Sequence, residues 1–205
     1  MKCHCLYLIV LACSLASVAL HGQAFTGYVT AGANANQING DDLAGYNRLG
    51  AFAGIGVLSD ISDRWRWSLT IAYSQHGSRA SAREGQRMSS PFMAIALDYV
   101  AVPVNIHYMD WLSDDETYYR LEFLLGVEYH RLINSKVTSL LGDDLTDQRP
   151  YSANSAALTA GGLYSWSYAW AAGIHYQRGI LDAQALDAEQ RQSIQQLSFR
   201  LRRTF

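Results

Sequence analysis

The stretch YRLEFLLGVEYH at positions 119–130 decides the fold of this chain. Every second residue from Tyr119 to Tyr129 is apolar or aromatic, whereas the residues between them are mostly charged, small or imidazole side chains. This period of two predicts a β-strand, because an amphipathic helix would repeat its apolar residues every 3.6 positions. Strands that cross a lipid bilayer show the same alternation over about ten residues, with aromatic residues at both interfaces. The stretch therefore predicts a membrane-spanning strand.

Seven further segments alternate in the same way. Residues 65–76 are the clearest, because Trp65, Leu69, Ile71 and Tyr73 alternate there with small and polar residues. The predicted strands are, in chain order, 25–37, 48–58, 65–76, 92–108, 119–130, 155–164, 168–178 and 194–205. Proline cannot donate a backbone hydrogen bond to a neighbouring strand, so we expect a β-bulge at Pro103 in the fourth strand.

The connections between these strands alternate in length. The long ones are 38–47, 77–91, 131–154 and 179–193, and the short ones are 59–64, 109–118 and 165–167. Outer-membrane barrels have long extracellular loops and short periplasmic turns, and their even strand number leaves both termini in the periplasm. A soluble ligand-carrier barrel would place its apolar residues inside instead. The sequence therefore predicts an all-β fold, an eight-stranded antiparallel up-and-down transmembrane β-barrel integral to a cell outer membrane.

The N-terminus predicts a secretory signal peptide over residues 1–24, followed by a barrel domain over residues 25–205. An apolar stretch from Leu6 to Leu20 follows a positive charge, and small residues precede a cleavage position after Ala24. Cleavage one or two residues earlier is an alternative. Cys13 leaves a lipoprotein signal open as a second alternative.

Composition excludes several classes of function. All three cysteines lie within the predicted signal, so the mature chain has no disulfide, thiolate nucleophile or cysteine-based zinc site. The net charge of -2 provides no basic surface for nucleic acid. We therefore expect no nucleic-acid partner.

Five groups of residues match the motifs of a known family in the right order. They are NGDD at 39–42 with GYNRLGAFAG at 45–54, LSD at 58–60 with DRW at 63–65, YSQHGS at 73–78, DYVAVP at 98–103 and HYQRGILD at 175–182. Together they resemble the Bacteroidetes-type outer-membrane barrels labelled PorT-like or outer membrane protein β-barrel domain, in which lysine is commoner at His76 and an acid is usual at Ala101. The resemblance implies a small outer-membrane barrel and no particular reaction. The family's best-known namesake is linked to type IX secretion.

Charged residues fall on the predicted inward faces. They are Arg66, Arg120, Glu122, Glu128, Arg200 and Arg202. The interior of an eight-stranded barrel is just wide enough for side chains to fill, and buried charges are tolerated when they are paired. We therefore expect a packed, ion-paired plug rather than the lining of a channel.

Three histidines form the remaining candidate site. His76, His130 and His175 fall on the inward faces of the third, fifth and seventh strands, near the predicted extracellular ends. Imidazoles bind metals and act as general bases. However, the three strands are not adjacent, and no nucleophile accompanies the histidines at a diagnostic spacing. We predict no catalytic, cofactor-binding or metal-binding residue, and a site formed by these histidines stays an open alternative.

The favoured function is a non-enzymatic barrel with a structural, anchoring or partner-interaction role, which presents its long loops outside the cell. The expected partners are outer-membrane lipid, the barrel-assembly machinery that selects a terminal aromatic such as Phe205, and an outer-membrane protein. Leu140-Leu141 in the longest loop indicate contact with such a partner or a packed cap. The alternatives are a narrow pore or transport barrel, a barrel associated with type IX secretion, and an enzyme that modifies outer-membrane lipid.

Overall fold

Eight antiparallel strands follow one another in chain order around a closed barrel, and β1 pairs with β8 to close it. The strands are β1 (Phe25–Asn39), β2 (Arg48–Ser62), β3 (Trp65–Arg79), β4 (Met93–Leu112), β5 (Tyr119–Ser139), β6 (Asn154–Ser165), β7 (Trp170–Gly179) and β8 (Ser193–Thr204). The computed structural model describes residues 24–39, 48–79, 93–139, 144–146, 151–180 and 193–205. The predicted strand number, order and antiparallel closure are confirmed.

Short connections join β2 to β3, β4 to β5 and β6 to β7 at one end of the barrel, where both ends of the barrel chain also lie. We call this the turn end, and we call the opposite end the loop end. The first 23 residues of the predicted signal peptide lie outside the described residues. So do 40–47, 80–91, 140–143, 147–150 and 181–192 of the predicted loops, and residue 92 of the predicted fourth strand. Among the described residues, no helix is long and apolar enough to cross a membrane.

The outer face of the barrel is apolar, as the alternation predicts. Leu49, Ile55 and Leu125 are 78%, 65% and 65% exposed. The inner face is polar instead, and Asn34 and Glu128 are fully buried there. A soluble carrier barrel has the opposite polarity. The exterior therefore suits lipid, and the interior is a polar core.

Aromatic rings border this apolar exterior at both ends. Those near the turn end are Phe25, Trp65, Trp67, Tyr108, Trp111, Tyr119, Tyr164, Trp166, Tyr168, Trp170 and Phe205, and those toward the loop end are Tyr73, Tyr129 and Tyr176. The path from Tyr119 to Tyr129 measures about 34 Å along the strand. With a strand tilt of about 40°, this path spans a height of roughly 26 Å, which matches the apolar band of outer-membrane barrels.

The bulge predicted at Pro103 is wrong. Pro103 pairs with Glu128 of β5 without a change of register, and the ladder to β3 is merely interrupted near it. The register shift lies nearer the loop end, between Asp98 and Tyr99, where β5 contributes Ile133 as an additional residue. The β3–β4 pairing thus accommodates the missing proline N–H by losing ladder hydrogen bonds rather than by inserting a residue.

The predicted boundary of the longest loop is also wrong, because 131–139 belongs to β5. A bulge adds one residue and reverses which side chains point inward beyond it, so Val137 is fully buried although it falls outside the original alternation. Residues of β4, β5 and the following segment form an apolar cluster, the loop-end cap: Ile95, Leu97, Tyr99, Val137 and Tyr151, with Leu132 and Leu145 packed against it. Leu140-Leu141, from which a cap was predicted, lie outside the described residues.

Candidate functional site

The charged residues predicted to form a plug divide into two groups. Glu122, Glu128, Arg200 and Arg202 are buried inside the barrel. Arg66 and Arg120 instead pair at the turn-end rim with Asp60 at 3.1 Å and Asp114 at 2.8 Å. The side chains of these two aspartates are 67% and 93% exposed. The predicted ion-paired plug therefore consists of four residues, and the other two belong to the rim.

A turn-side cluster surrounds Glu122. Arg202 donates two hydrogen bonds to its carboxylate, with lengths of 2.7 and 2.6 Å. His107 Nδ1 lies 2.6 Å from Glu122 Oε1, and its Nε2 lies 2.8 Å from Ser68 Oγ. β4 and β5 bring His107 and Glu122 together as diagonal neighbours on the same face of the sheet.

Ser68, His107 and Glu122 follow one another in the order of a serine–histidine–acid triad. Their surroundings do not fit acyl transfer. Ser68 is only 1% exposed, and the cavity beside it measures about 30 Å³. That volume holds about two water molecules and no ester substrate. In addition, both carboxylate oxygens of Glu122 already accept hydrogen bonds from Arg202. We therefore interpret the cluster as a packed polar network.

A loop-side cluster surrounds Glu128. His130 Nε2 lies 3.0 Å from Glu128 Oε1. The ring of His130 contacts those of His76 and Tyr99 edge-on, with centroids 5.0 and 5.5 Å away. His76 Nε2 in turn lies 2.8 Å from Ser74 Oγ. The cluster fills the barrel directly beneath the loop-end cap.

The three histidines singled out by sequence do not form one site. His76 and His130 meet, whereas His175 lines a separate cavity nearer the turn end, together with His107. Among the described residues, no group of three histidine, cysteine, aspartate or glutamate side chains is placed to hold a metal ion. His107 was not among the histidines singled out from the sequence, because its diagonal contact with Glu122 depends on the register between β4 and β5.

Arg200 lies between the two clusters. Its guanidinium stacks on the ring of Phe52, 3.7 Å from the ring centroid, and its Nη2 lies 3.9 Å from Glu128 Oε2. Arg200 was predicted to lie inside the barrel, but its partner was not predicted. The contact with Phe52 joins β8 to β2 across the lumen, and alternation along a single strand does not show which inward residues meet there.

The turn end of the lumen opens into a vestibule of about 660 Å³. Glu122 and Arg202 line this cavity, together with the β4–β5 turn. Ser113 organises that turn, because its hydroxyl donates to Asp115 at 2.5 Å and accepts from the backbone N–H groups of Thr117 and Tyr118. The hydrogen bond from Ser113 lowers the pKa of Asp115 below its usual range. The vestibule is thus a shaped, polar entrance that ends at the buried ion pair.

The fold is that of small outer-membrane barrels. No protein-family model matches the sequence, and no curated protein sequence matches it. The structure is similar to that of Ail, the attachment invasion locus protein of Yersinia pestis, which was solved in complex with the heparin analogue sucrose octasulfate. The two sequences are 12% identical, and the TM-score is 0.50 over 88% of this chain and 99% of that one. The structure is also similar to that of Neisserial surface protein A, with 15% identity and a TM-score of 0.50, over 90% of this chain and 100% of that one. Both are eight-stranded outer-membrane barrels. At these identities the likeness shows the fold alone.

Proposed function

We propose that this chain is an integral outer-membrane barrel that does not conduct, anchors in lipid through its apolar exterior, and presents its loop end to a partner. The observation that carries the proposal is the filled lumen. The buried Glu122–Arg202 pair closes the inner end of the vestibule, and the loop-end cap packs apolar side chains above the loop-side cluster. A barrel of this size has little further space for a conduction path. No step of an enzymatic reaction is needed to account for these residues.

The loop end supports the interaction part of the proposal. β4 and β5 are 20 and 21 residues long, whereas about ten residues cross a bilayer. Their additional length stands beyond the aromatic residues of the loop side, where Ile133, Asn134 and Lys136 are exposed. A pair of hydrogen-bonded strands that extends in this way offers a partner a fixed surface.

The contacts of the motif residues support membership of the PorT-like family. Within YSQHGS, the hydroxyl of Tyr73 donates to Asp98 at 2.9 Å, and the side-chain amide of Gln75 donates to the same carboxylate at 3.2 Å. Asp98 opens the DYVAVP motif. Gly77 has a φ of 146°, and a Cβ there would lie 2.1 Å from the carbonyl oxygen of Ile95. Two motifs thus form one contact network. A secretion-associated partner stays the second candidate because of the resemblance of these motifs to the PorT-like family.

Purified protein in planar lipid bilayers should show no stepwise current. Within the part of the barrel that the structure describes, the buried ion pair and the loop-end cap leave no water-filled path of the kind that wide porins have. The measurement is single-channel recording at high salt, with a known porin in the same bilayer as the control. Regular current steps from this protein would contradict the anchoring proposal and favour the narrow-pore alternative.

Orientation is tested by cysteine labelling in intact cells. We propose that the turn end, with both termini, faces the periplasm, and that the loop end faces outward. Asp144→Cys should then react with a membrane-impermeant maleimide in intact cells, whereas Asp63→Cys should react only after the outer membrane is permeabilised. Both positions are exposed, so burial does not explain a difference. The reverse labelling pattern would overturn the orientation. Arg83, another predicted loop position, lies outside the described residues.

A further inference from the structure

A small cavity lies in the middle of the lumen, between the turn-side and loop-side clusters. Its volume is about 30 Å³, which is enough for about two water molecules. Arg200, Arg202, His107 and His175 line it, together with Asn105 and Thr70. We call it the mid-lumen cavity. Two guanidinium groups and two imidazoles thus share one small space in the protein interior.

Several donors at this cavity have no hydrogen-bond acceptor among the described protein residues. They are Nε and Nη2 of Arg200, Nε of Arg202, and both ring nitrogens of His175, one of which carries a hydrogen in the neutral ring. All three side chains are more than nine-tenths buried, with exposures of 5%, 7% and 6%. A buried charged donor without an acceptor is strongly unfavourable. The cavity therefore calls for an acceptor that the protein does not supply.

The neighbouring carboxylates are already engaged. Glu122 receives two hydrogen bonds from Arg202, and Glu128 is paired with His130. Glu128 also lies 3.9 Å from Arg200, a distance at which the charges attract without a hydrogen bond. Phe52 covers one face of the Arg200 guanidinium. That contact uses the face of the guanidinium and not its N–H groups, of which those on Nε and Nη2 have no acceptor among the described residues.

We propose that the mid-lumen cavity binds one small monovalent anion of the halide class, held chiefly by Arg200 and His175. A cavity of about 30 Å³ suits a halide, which is little larger than a water molecule, better than it suits sulfate, phosphate or a larger organic anion. A halide has no preferred hydrogen-bond direction, which suits donors that come from two strands, His175 on β7 and Arg200 on β8. The carboxylates of Glu122 and Glu128 repel the anion, and the guanidinium groups of Arg200 and Arg202 attract it. Binding is favoured because guanidinium donors without acceptors gain hydrogen bonds from the anion.

The anion reaches the cavity from the turn end. Arg202 lines both the vestibule and the mid-lumen cavity, so a movement of its side chain connects the two. At the other end, the loop-side cluster and the loop-end cap are packed. The anion is therefore a ligand that completes the interior and stabilises the folded barrel, and it does not pass through.

The test is the halide dependence of unfolding. The barrel, refolded in detergent micelles, is unfolded by urea at increasing sodium bromide, and sodium gluconate keeps the total salt constant because gluconate is too large for the cavity. Binding of one anion to the folded state predicts that, above the dissociation constant, the unfolding equilibrium constant falls about tenfold for each tenfold rise in bromide. Arg200→Gln should abolish this dependence. Arg178→Gln, which changes an exposed arginine of β7, should retain it.

Crystals grown in bromide provide the second measurement. The proposal predicts an anomalous-scattering peak within hydrogen-bond distance of Arg200 and His175. If Arg200→Gln does not fold, the bromide dependence and the anomalous peak of the unmodified protein decide the question. Ordered water in place of the peak, no bromide dependence, or an equal dependence in Arg200→Gln would each overturn the proposal, because water or a general salt effect would then account for the result.

Discussion

Replacing Glu122 with glutamine should lower the free energy of unfolding by about 3–5 kcal/mol, the usual effect of removing one partner from a buried ion pair. The side chain keeps its size, so the loss comes from charge rather than from a cavity. Glu122 is 3% exposed and accepts both hydrogen bonds of Arg202, so Arg202 is left as a buried cation without its counter-ion. Urea unfolding in lipid vesicles, followed by tryptophan fluorescence, measures the change.

The matched control is Asp114→Asn at the rim. Asp114 also pairs with an arginine, Arg120, at 2.8 Å, but its side chain is 93% exposed. Exposed ion pairs contribute about 0–1 kcal/mol, so this variant should unfold almost like the original protein. An equal loss in both variants would show that burial does not govern the strength of these pairs.

A double variant separates the charge from the packing. Glu122→Gln combined with Arg202→Met removes both charges, and replacement of a whole buried pair by residues of similar volume is often neutral. Most of the stability lost in Glu122→Gln should therefore return. If the double variant is no more stable than the single one, the loss comes from packing around Glu122 and not from an uncompensated charge on Arg202.

Alternation in the sequence predicted the orientation of side chains along most strands. A period of two fixes both faces of a strand once one residue is assigned to a face, so Leu125 outside and Glu128 inside follow from the same pattern. The strand number and the order of connections followed as well. The sequence could not predict which charges pair inside the barrel. Glu122 and Arg202 are 80 residues apart, and their contact depends on the register of every strand pair around the barrel.

The position of the β-bulge could not be predicted from the sequence either. Proline at 103 predicted an irregularity at its own position, whereas the extra residue is Ile133 of the neighbouring strand. Beyond Ile133 the inward positions change parity, so that Val137 points inward and Lys136 outward. A strand whose alternation changes phase resembles an irregular polar loop. For this reason, the residues that form the loop-end cap and the full length of β5 could not be predicted.

Replacing Leu125 with arginine should lower the stability of the barrel in lipid vesicles by about 2–4 kcal/mol, the cost of a charged side chain at the bilayer midplane. Leu125 is 65% exposed on the outer face and lies between the aromatic residues Tyr119 and Tyr129 that border the apolar exterior. The guanidinium would therefore enter hydrocarbon. Urea unfolding in vesicles of two acyl-chain lengths measures this loss, which should grow with bilayer thickness.

Two variants of the same strand distinguish depth from packing. Tyr119→Arg changes the turn-end limit of β5, where the same charge costs about 0–1 kcal/mol, so it should have little effect. Gly126→Ala acts from the inside, because a Cβ there would lie 2.2 Å from the carbonyl oxygen of Val104. That backbone contact does not depend on lipid, so its loss of stability should be the same in thin and thick bilayers. If Leu125→Arg also proves insensitive to thickness, or if Tyr119→Arg is equally harmful, the outer face of β5 does not meet the bilayer in the way its alternation predicts.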